Sequence, residues 1–256
     1  MSDKKQSTDE RLLSLMEQLS LRDDNISDPA KLKKVLILST PRSGSSMFCD
    51  VISRSQQVGE CREWLNMRYV GAYAKMKKIS NINIQEYLNF IMNKTILQTD
   101  VFAVNMHIEQ YISLIQNKFD PMTLGFDVVV YLSRKNKLEQ AISLLKAQLT
   151  DKWTAETQEL SKLDEKKITP AAITQALSHI IQSEAVYQEK LQHRVSLELF
   201  YEDFKHLDTT ESFEAFFKLI NKPFERSQMS TAFSKQKDSV TDKYFHNYMN
   251  YLTGKY

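Results

Sequence analysis

Short apolar runs alternate with helical stripes along most of this chain. Residues 35–38, 101–104 and 128–130 are continuously apolar, and apolar residues alternate with polar ones between Val195 and Leu199. Runs of this length and composition predict buried β-strands. Between them, apolar side chains recur every three or four residues, as on one face of an α-helix. Strands separated by helices predict an α/β domain with a mainly parallel central sheet flanked by helices.

Helical periodicity also sets the expected boundaries. Thr169 and Pro170 have the order of an N-cap followed by a first helical residue, and Asp208 and Glu211 have a spacing like that of a capping box. Residues 1–10 are polar and charged and predict a disordered lead. The predicted helices cover residues 12–19, 47–52, 85–97, 107–117, 137–149, 170–193, 208–220 and 244–252.

Length, charge and cysteine content indicate the domain organisation, the partners and the cellular location to expect. The 256 residues predict an N-terminal lead, helix and connector over 1–33 and a single α/β domain over 34–256. A net charge of +2 gives no reason to expect nucleic acid as a partner. We expect a cytoplasmic protein without a transmembrane segment, because no apolar signal region is present and the two cysteines do not suggest a disulfide framework.

The segment from Ser39 to Ser46 follows the first predicted strand and precedes a predicted helix. Loop amides and the free N–H groups of a helix start point at one place there, and the helix dipole favours negative charge. Arg42 adds a positive charge and the serines add hydroxyl donors. We therefore expect a phosphate or a related anion to bind Pro41, Arg42, Ser43, Gly44, Ser45 and Ser46.

This loop differs from that of the ATP- and GTP-hydrolysing enzymes. Their pattern is G-x-x-x-x-G-K-[ST], whereas here Gly44 stands alone and Arg42 precedes it. A P-loop kinase for a small metabolite is thus the weaker interpretation. The string Thr-Pro-Arg-Ser-Gly-Ser-Ser resembles the 5′-phosphosulfate loop of sulfotransferases. This resemblance implies a P-loop-like three-layer fold and 3′-phosphoadenosine-5′-phosphosulfate (PAPS) as the donor substrate.

Three further segments resemble the bacterial trehalose 2-sulfotransferase family in the same order along the chain. Residues 59–65 resemble its Gly-x-Pro-x-Glu element, residues 132–144 its Arg-Arg-Asp-Lys-Leu element, and residues 201–204 its Tyr-Glu-Asp-Leu element. The resemblance covers roughly residues 34–205. It implies transfer of a sulfuryl group to a hydroxyl of a sugar or glycolipid acceptor, without a metal.

The same resemblance implies how the 3′-phosphate of PAPS is bound. Sulfotransferases use an arginine at a strand end and a serine about two helical turns later, and Ser143 is that serine here. Arg134 and Lys135 are both near the required spacing; Arg134 is preferred because its planar guanidinium suits a phosphate. Lys237, in the looser C-terminal match, completes the expected donor-binding residues.

Catalytic roles follow from the chemistry of sulfuryl transfer. The transition state is loose, so Arg42 is expected to stabilise charge on the leaving phosphate. The acceptor hydroxyl must lose a proton, and the resemblance implies Glu63 as the base. Glu60 and His107 remain alternative bases.

Two positions depart from the family pattern. Cys61 replaces its proline, and Asn105 replaces a lysine in the Phe-Gly-x-Lys strand. The missing lysine motivates an alternative function, a catalytically inactive protein that binds PAPS or another nucleotide on the same fold. The N-terminal and aromatic C-terminal helices could build a homodimer, or they could simply cover the sheet.

Overall fold

The computed structural model describes residues 7–26, 31–153, 162–233 and 239–255. Within these ranges, four parallel strands form one sheet in the order β2-β1-β3-β4. The strands are β1 (Lys33–Ser39), β2 (Val101–His107), β3 (Val128–Ser133) and β4 (Leu197–Phe200). The predicted α/β fold with a central parallel sheet is confirmed.

Burial on both faces explains why these strands are so apolar. Leu36 and Leu38 of β1 face one hydrophobic layer, while Val35 and Ile37 face the other. All four side chains are fully buried. Because a strand covered on both faces exposes neither face to solvent, it has no positions that favour polar residues, and its sequence is a continuous apolar run.

Helices flank the sheet on both sides. The α-helices of the described residues are α1 (Thr8–Ser20), α2 (Ser45–Arg54), α3 (Met67–Lys77), α4 (Ile84–Thr95), α5 (Ile108–Gln116), α6 (Lys137–Thr150), α7 (Pro170–Lys190), α8 (Tyr201–Phe204), α9 (Glu211–Leu219) and α10 (Ser239–Leu252). Among the described residues, no helix has the length and hydropathy needed to cross a membrane.

The two layers differ in their contacts. On one face, α2 and α9 pack through aromatic rings, with Phe48 and Phe213 stacked at a centroid distance of 5.1 Å. The other layer contains α1, α3, α4, α5 and the end of α7. Met16 and Leu19 of α1 are fully buried in this layer, so the N-terminal helix contributes to the same core as the sheet.

Helix boundaries differ from the sequence predictions at several places; α8 was not predicted, and α10 begins at Ser239 rather than at Tyr244. Helix α1 begins at Thr8 with a capping box between Ser7 and Glu10, so the predicted disordered lead extends too far. Helix α9 begins after Thr210, and the predicted capping box at Asp208 does not form. Helix α3 was not predicted.

Parallel pairing brings the carboxyl ends of the strands to one edge. Ser39 of β1 lies opposite His107 of β2, and Ser133 of β3 lies opposite Phe200 of β4. Ligands of open α/β sheets bind at this edge. The loops that follow the strands therefore form the candidate site.

Candidate functional site

Glycine is required where β1 passes into α2. Gly44 is the N-cap of α2 and has a φ angle of +83°. A Cβ atom on it would lie 2.4 Å from Cδ2 of Tyr201. The tyrosine ring therefore closes over the loop backbone, and the first N–H groups of α2 lack the intrahelical partners that later turns have.

A cavity of about 590 Å³ lies above this loop. Its walls come from the loop, from the ends of β2 and β3, from α6, and from the chain after β4. The lining residues include Pro41, Arg42, Gly44, Ser45, Ser46, Met47, Glu63, His107, Arg134, Ser143, Trp153, Tyr201, His206 and Phe233. Most of the predicted donor residues and the candidate catalytic residues Arg42, Glu63 and His107 thus line one cavity.

Arg42 crosses the cavity floor towards α6. Its Nε donates to Ser143 Oγ over 3.0 Å, and its Nη1 donates to the backbone carbonyl of Trp153. Burial and then the neighbouring charge of Arg134 lower the pKa of Arg42 to about 10. Two guanidinium groups thus repel each other at one place, an arrangement that favours a bound anion.

Arg134 lines the same cavity as Ser143. Its Nη2 is 2.6 Å from Glu139 Oε2, and its guanidinium stacks 5.1 Å from the centre of the Tyr201 ring. Its Nε is buried and has no hydrogen-bond partner within the part of the chain that the structure describes. Its Nε also faces Glu202 Oε1 at 3.8 Å, so two carboxylates and the Tyr201 ring hold the side chain in place.

Lys135, the alternative to Arg134, points elsewhere. Its Nζ lies 2.5 Å from Asp203 Oδ1 and 5.0 Å from the centre of the Phe200 ring. The side chain is 53% exposed. Lys135 is not part of the cavity lining, so the structure separates it from Ser143. Lys237 lies outside the described residues.

The 201–204 segment supports the loop between β3 and α6. The carboxylate of Glu202 accepts the backbone N–H groups of Lys135 and Asn136 at 2.9 and 3.1 Å. Because Arg134 immediately precedes these residues, Glu202 fixes the backbone that presents its guanidinium. This explains a Tyr-Glu pair here: Tyr201 covers Gly44 while Glu202 holds the neighbouring loop.

The buried side-chain amides of Gln140 and Asn105 donate hydrogen bonds to the anion loop and the start of α2. Gln140 Nε2 donates to Thr40 Oγ1 at 2.9 Å and to the Pro41 carbonyl at 2.7 Å. Asn105 Nδ2 donates to Ser45 Oγ at 3.3 Å. Gln140 lies within the 132–144 segment that resembles the family, but no role was predicted for it from the sequence.

Ser43 and Ser46 differ in how they contribute. Ser46 lines the cavity. Ser43 is fully buried and does not line the cavity, and its hydroxyl has no hydrogen-bond partner among residues 7–26, 31–153, 162–233 and 239–255. The cavity therefore receives side chains from Ser45 and Ser46, whereas Ser43 can contribute only through its backbone.

Glu63 is held in the opposite wall by three side chains. Gln110 Nε2 and Asn66 Nδ2 donate to Glu63 Oε2 at 2.6 and 3.0 Å, and His107 Nε2 lies 3.9 Å from Glu63 Oε1. Burial raises the pKa of Glu63, but the facing imidazole and the two hydrogen bonds leave it below its ordinary value. The carboxylate is therefore ionised at neutral pH. Gln110 was not identified from the sequence.

Backbone contacts fix the segment that carries Glu63. Gly59 donates to the Val101 carbonyl at 2.9 Å, and Asn105 donates to the Arg62 carbonyl at 2.9 Å, so the segment adds to the edge of β2. Glu60, the other candidate base of this segment, instead pairs with Arg22 at 2.6 Å and does not line the cavity.

The two cysteines contact each other where α2 packs against the segment that carries Glu63. Cys49 Sγ and Cys61 Sγ are 2.9 Å apart, and both thiols are free and buried. Burial, followed by the hydrogen bond with Cys61, raises the pKa of Cys49 well above its ordinary value. Cys49 of α2 therefore packs against Cys61 of the Glu63 segment as a neutral thiol.

Comparison with known proteins identifies the family. A search of curated proteins gave no match. A solved structure of retinol dehydratase in complex with androsterone and the inactive cofactor PAP is similar over 87% of this chain and 80% of that chain, with 13% identity and a TM-score of 0.40. The family model for Stf0 sulphotransferases matches residues 34–250 and confirms the prediction of a sulfotransferase. The chain belongs to the Stf0 sulphotransferase family.

Proposed function

We propose that this protein transfers a sulfuryl group from PAPS to a hydroxyl of a carbohydrate or glycolipid acceptor. The observation that carries this proposal is the meeting of Arg42 with Ser143 and with the charge of Arg134 beside the glycine loop. Two close cations and a helix start favour a ligand with more than one anionic group.

The residues present fit such a donor. Gly44 leaves its backbone free of a side chain, and the Arg134 guanidinium contributes positive charge to the cavity lining. A cavity of about 590 Å³ is in the range of sites for ligands of nucleotide size. We assign the loop and Arg42 to the phosphosulfate end, and Arg134 with Ser143 to the ribose 3′-phosphate.

PAPS supplies an activated sulfuryl group attached to a phosphate leaving group. Arg42 would stabilise the charge that develops on that phosphate as the S–O bond breaks. Removal of one such preorganised donor typically costs about 2.7–4 kcal/mol of transition-state stabilisation.

Glu63 would accept the proton of the acceptor hydroxyl as the new S–O bond forms. Its lowered pKa keeps the carboxylate charged at neutral pH, and His107 faces it within the same cavity. Gln110 and Asn66 occupy Oε2, so Oε1 is the oxygen left to face a hydroxyl. A carboxylate and an imidazole in one wall are suited to binding and deprotonating an alcohol.

The test is transfer of radiolabelled sulfate from PAPS to panels of sugars, glycolipids and steroids. Binding of PAP (adenosine 3′,5′-bisphosphate), the product that remains after PAPS loses its sulfuryl group, is measured by calorimetry. We expect PAP to bind and label to appear on a sugar or glycolipid. Label on steroids alone would contradict the acceptor class. PAP binding without transfer to any acceptor would favour the inactive nucleotide-binding protein, and no PAP binding would contradict the donor.

A further inference from the structure

We propose that Asn105 is a positioning residue that sets the Ser45 hydroxyl as a hydrogen-bond donor to the anionic end of the sulfuryl donor. The inference rests on the proposed function, because it concerns the same donor. Asn105 lies on β2 and is only 2% exposed, so its side chain contacts protein alone.

The Asn105 amide bridges the end of β1 and the start of α2. Ser39 Oγ donates to Asn105 Oδ1 at 3.2 Å, and Asn105 Nδ2 donates to Ser45 Oγ at 3.3 Å. Both serines are also buried. The three side chains therefore form a chain of hydrogen bonds that runs in one direction, from β1 through β2 to the loop.

This direction determines what Ser45 can do. A hydroxyl group has one proton to donate, and it can accept at its lone pairs. Because Ser45 accepts from the amide, its proton is left for another partner, and Ser45 lines the cavity at the first residue of α2. An anion bound at this helix start would receive that proton as a charge-assisted hydrogen bond.

Asn105 also connects the two halves of the site. Its backbone N–H donates to the Arg62 carbonyl at 2.9 Å, next to Glu63. One residue thus orients a donor-binding hydroxyl and anchors the segment that carries the candidate base. A neutral amide adds no charge of its own, so its contribution to donor binding is one of orientation.

Substitution of Asn105 by aspartate tests the direction of the chain. A carboxylate can only accept, so the Ser45 proton would turn towards it and away from the cavity. For Asn105→Asp we expect PAP affinity to fall about ten- to hundredfold, more than for Asn105→Ala, since loss of a hydrogen bond to a charged group has this size. Asn117→Asp, on the exposed end of α5, is the charge-matched control and should bind PAP normally.

A double-mutant cycle with Ser45 separates positioning from general damage. Calorimetry at fixed ionic strength would measure PAP affinity for wild type, Ser45→Ala, Asn105→Ala and the double variant, with thermal unfolding to confirm that each is folded. We expect Asn105→Ala to lower affinity in the wild-type background and to have no further effect once Ser45 is alanine. The Glu63 anchor involves only backbone atoms of Asn105, so alanine preserves it.

The outcomes are distinct. Equal losses from Asn105→Ala in both backgrounds would overturn the positioning role while leaving PAPS as the proposed donor. An Asn105→Asp protein that is folded and binds PAP as tightly as wild type would overturn the proposed direction of the hydrogen bonds. A wild-type protein that does not bind PAP would contradict the proposed function itself, and the inference with it.

Discussion

Arg42 Nε donates to Ser143 Oγ over 3.0 Å, although the two residues are 101 positions apart in the sequence. The contact joins the loop after β1 to the second turn of α6. It places the residue proposed for the phosphosulfate against the residue proposed for the ribose phosphate. The two anionic groups of the donor would therefore contact one connected set of hydrogen-bond donors. A substitution at either residue should therefore also affect binding of the anionic group assigned to the other.

The first prediction concerns the charge of Arg42. In Arg42→Gln the side chain stays polar but loses its charge, and we expect turnover to fall about 10²–10³-fold, as on removal of a preorganised donor. Because burial and Arg134 lower the pKa of Arg42, its charge disfavours the ligand-free fold, so the melting temperature without ligand should not fall. Steady-state kinetics and thermal unfolding measure both. An unchanged turnover number would remove the assigned role.

The second prediction compares two neighbouring cations. Arg134→Ala removes a guanidinium from the cavity wall, and we expect PAP affinity to fall about ten- to hundredfold. Lys135→Ala removes a charge one residue away that points at Asp203, and it should leave PAP affinity almost unchanged. Calorimetry of both variants at the same ionic strength decides between them. A larger loss for Lys135→Ala would reverse the assignment.

Local pattern was enough to predict the sheet and the anion loop. Residues 35–38 form a continuous apolar run, Gly44 follows, and an apolar helical face begins at Met47, so strand, turn and helix are all encoded within a few neighbours. Strand ends then gather at one edge by topology alone. This is why Arg42, His107 and Arg134 could be expected in one place, whereas Ser143 was identified through the family resemblance.

Residues whose role depends on distant partners could not be predicted in this way. Gln110 contacts Glu63 from 47 positions away, and Gln140 contacts Thr40 from 100 positions away. Gln110 has no local signal that separates it from an exposed glutamine, and the family resemblance around Gln140 did not show which residue it contacts. Asn105 was visible only as a departure from the family pattern. Helix α3 was missed because Gly71 interrupts a stretch of mixed polarity.

The third prediction concerns the glycine of the anion loop. Gly44→Ala places a Cβ 2.4 Å from Tyr201 at a φ angle of +83°. We expect a loss of about 1–3 kcal/mol in the free energy of unfolding, together with weaker PAP binding. Gly71→Ala is the matched control: its Cβ meets nothing within 4 Å in the middle of α3. That variant should be more stable by about 0.5–1 kcal/mol.

Urea denaturation of the two glycine variants measures both effects with one method. A Gly44→Ala protein as stable as Gly71→Ala would show that the Tyr201 ring does not close over the loop backbone. Loss of PAP binding with unchanged stability would instead locate the effect in the ligand contact alone.

The fourth prediction is a pH dependence set by Glu63. If this carboxylate is the base, kcat/KM falls as pH decreases through its pKa, which lies below the ordinary ~4.3 of a glutamate. An acid limb near pH ~6.5, where imidazoles titrate, would identify a histidine instead. Glu63→Gln should retain PAP binding and lose turnover. Glu60→Gln, outside the cavity, should retain both.

Gln110 makes this prediction sharper, because it donates to Glu63 at 2.6 Å. Gln110→Ala removes a hydrogen bond that favours the ionised carboxylate, so the acid limb should move to higher pH while PAP affinity stays constant. A depressed carboxyl pKa contributes stability above the unfolded pKa and loses it as pH falls through the folded one. The stability lost in Gln110→Ala should therefore be largest at neutral pH and shrink in acid. Gln116 is exposed on the same helix, so Gln116→Ala is the control and should change neither the acid limb of kcat/KM nor the free energy of unfolding. An acid limb that does not shift in Gln110→Ala would exclude Glu63 as the titrating base.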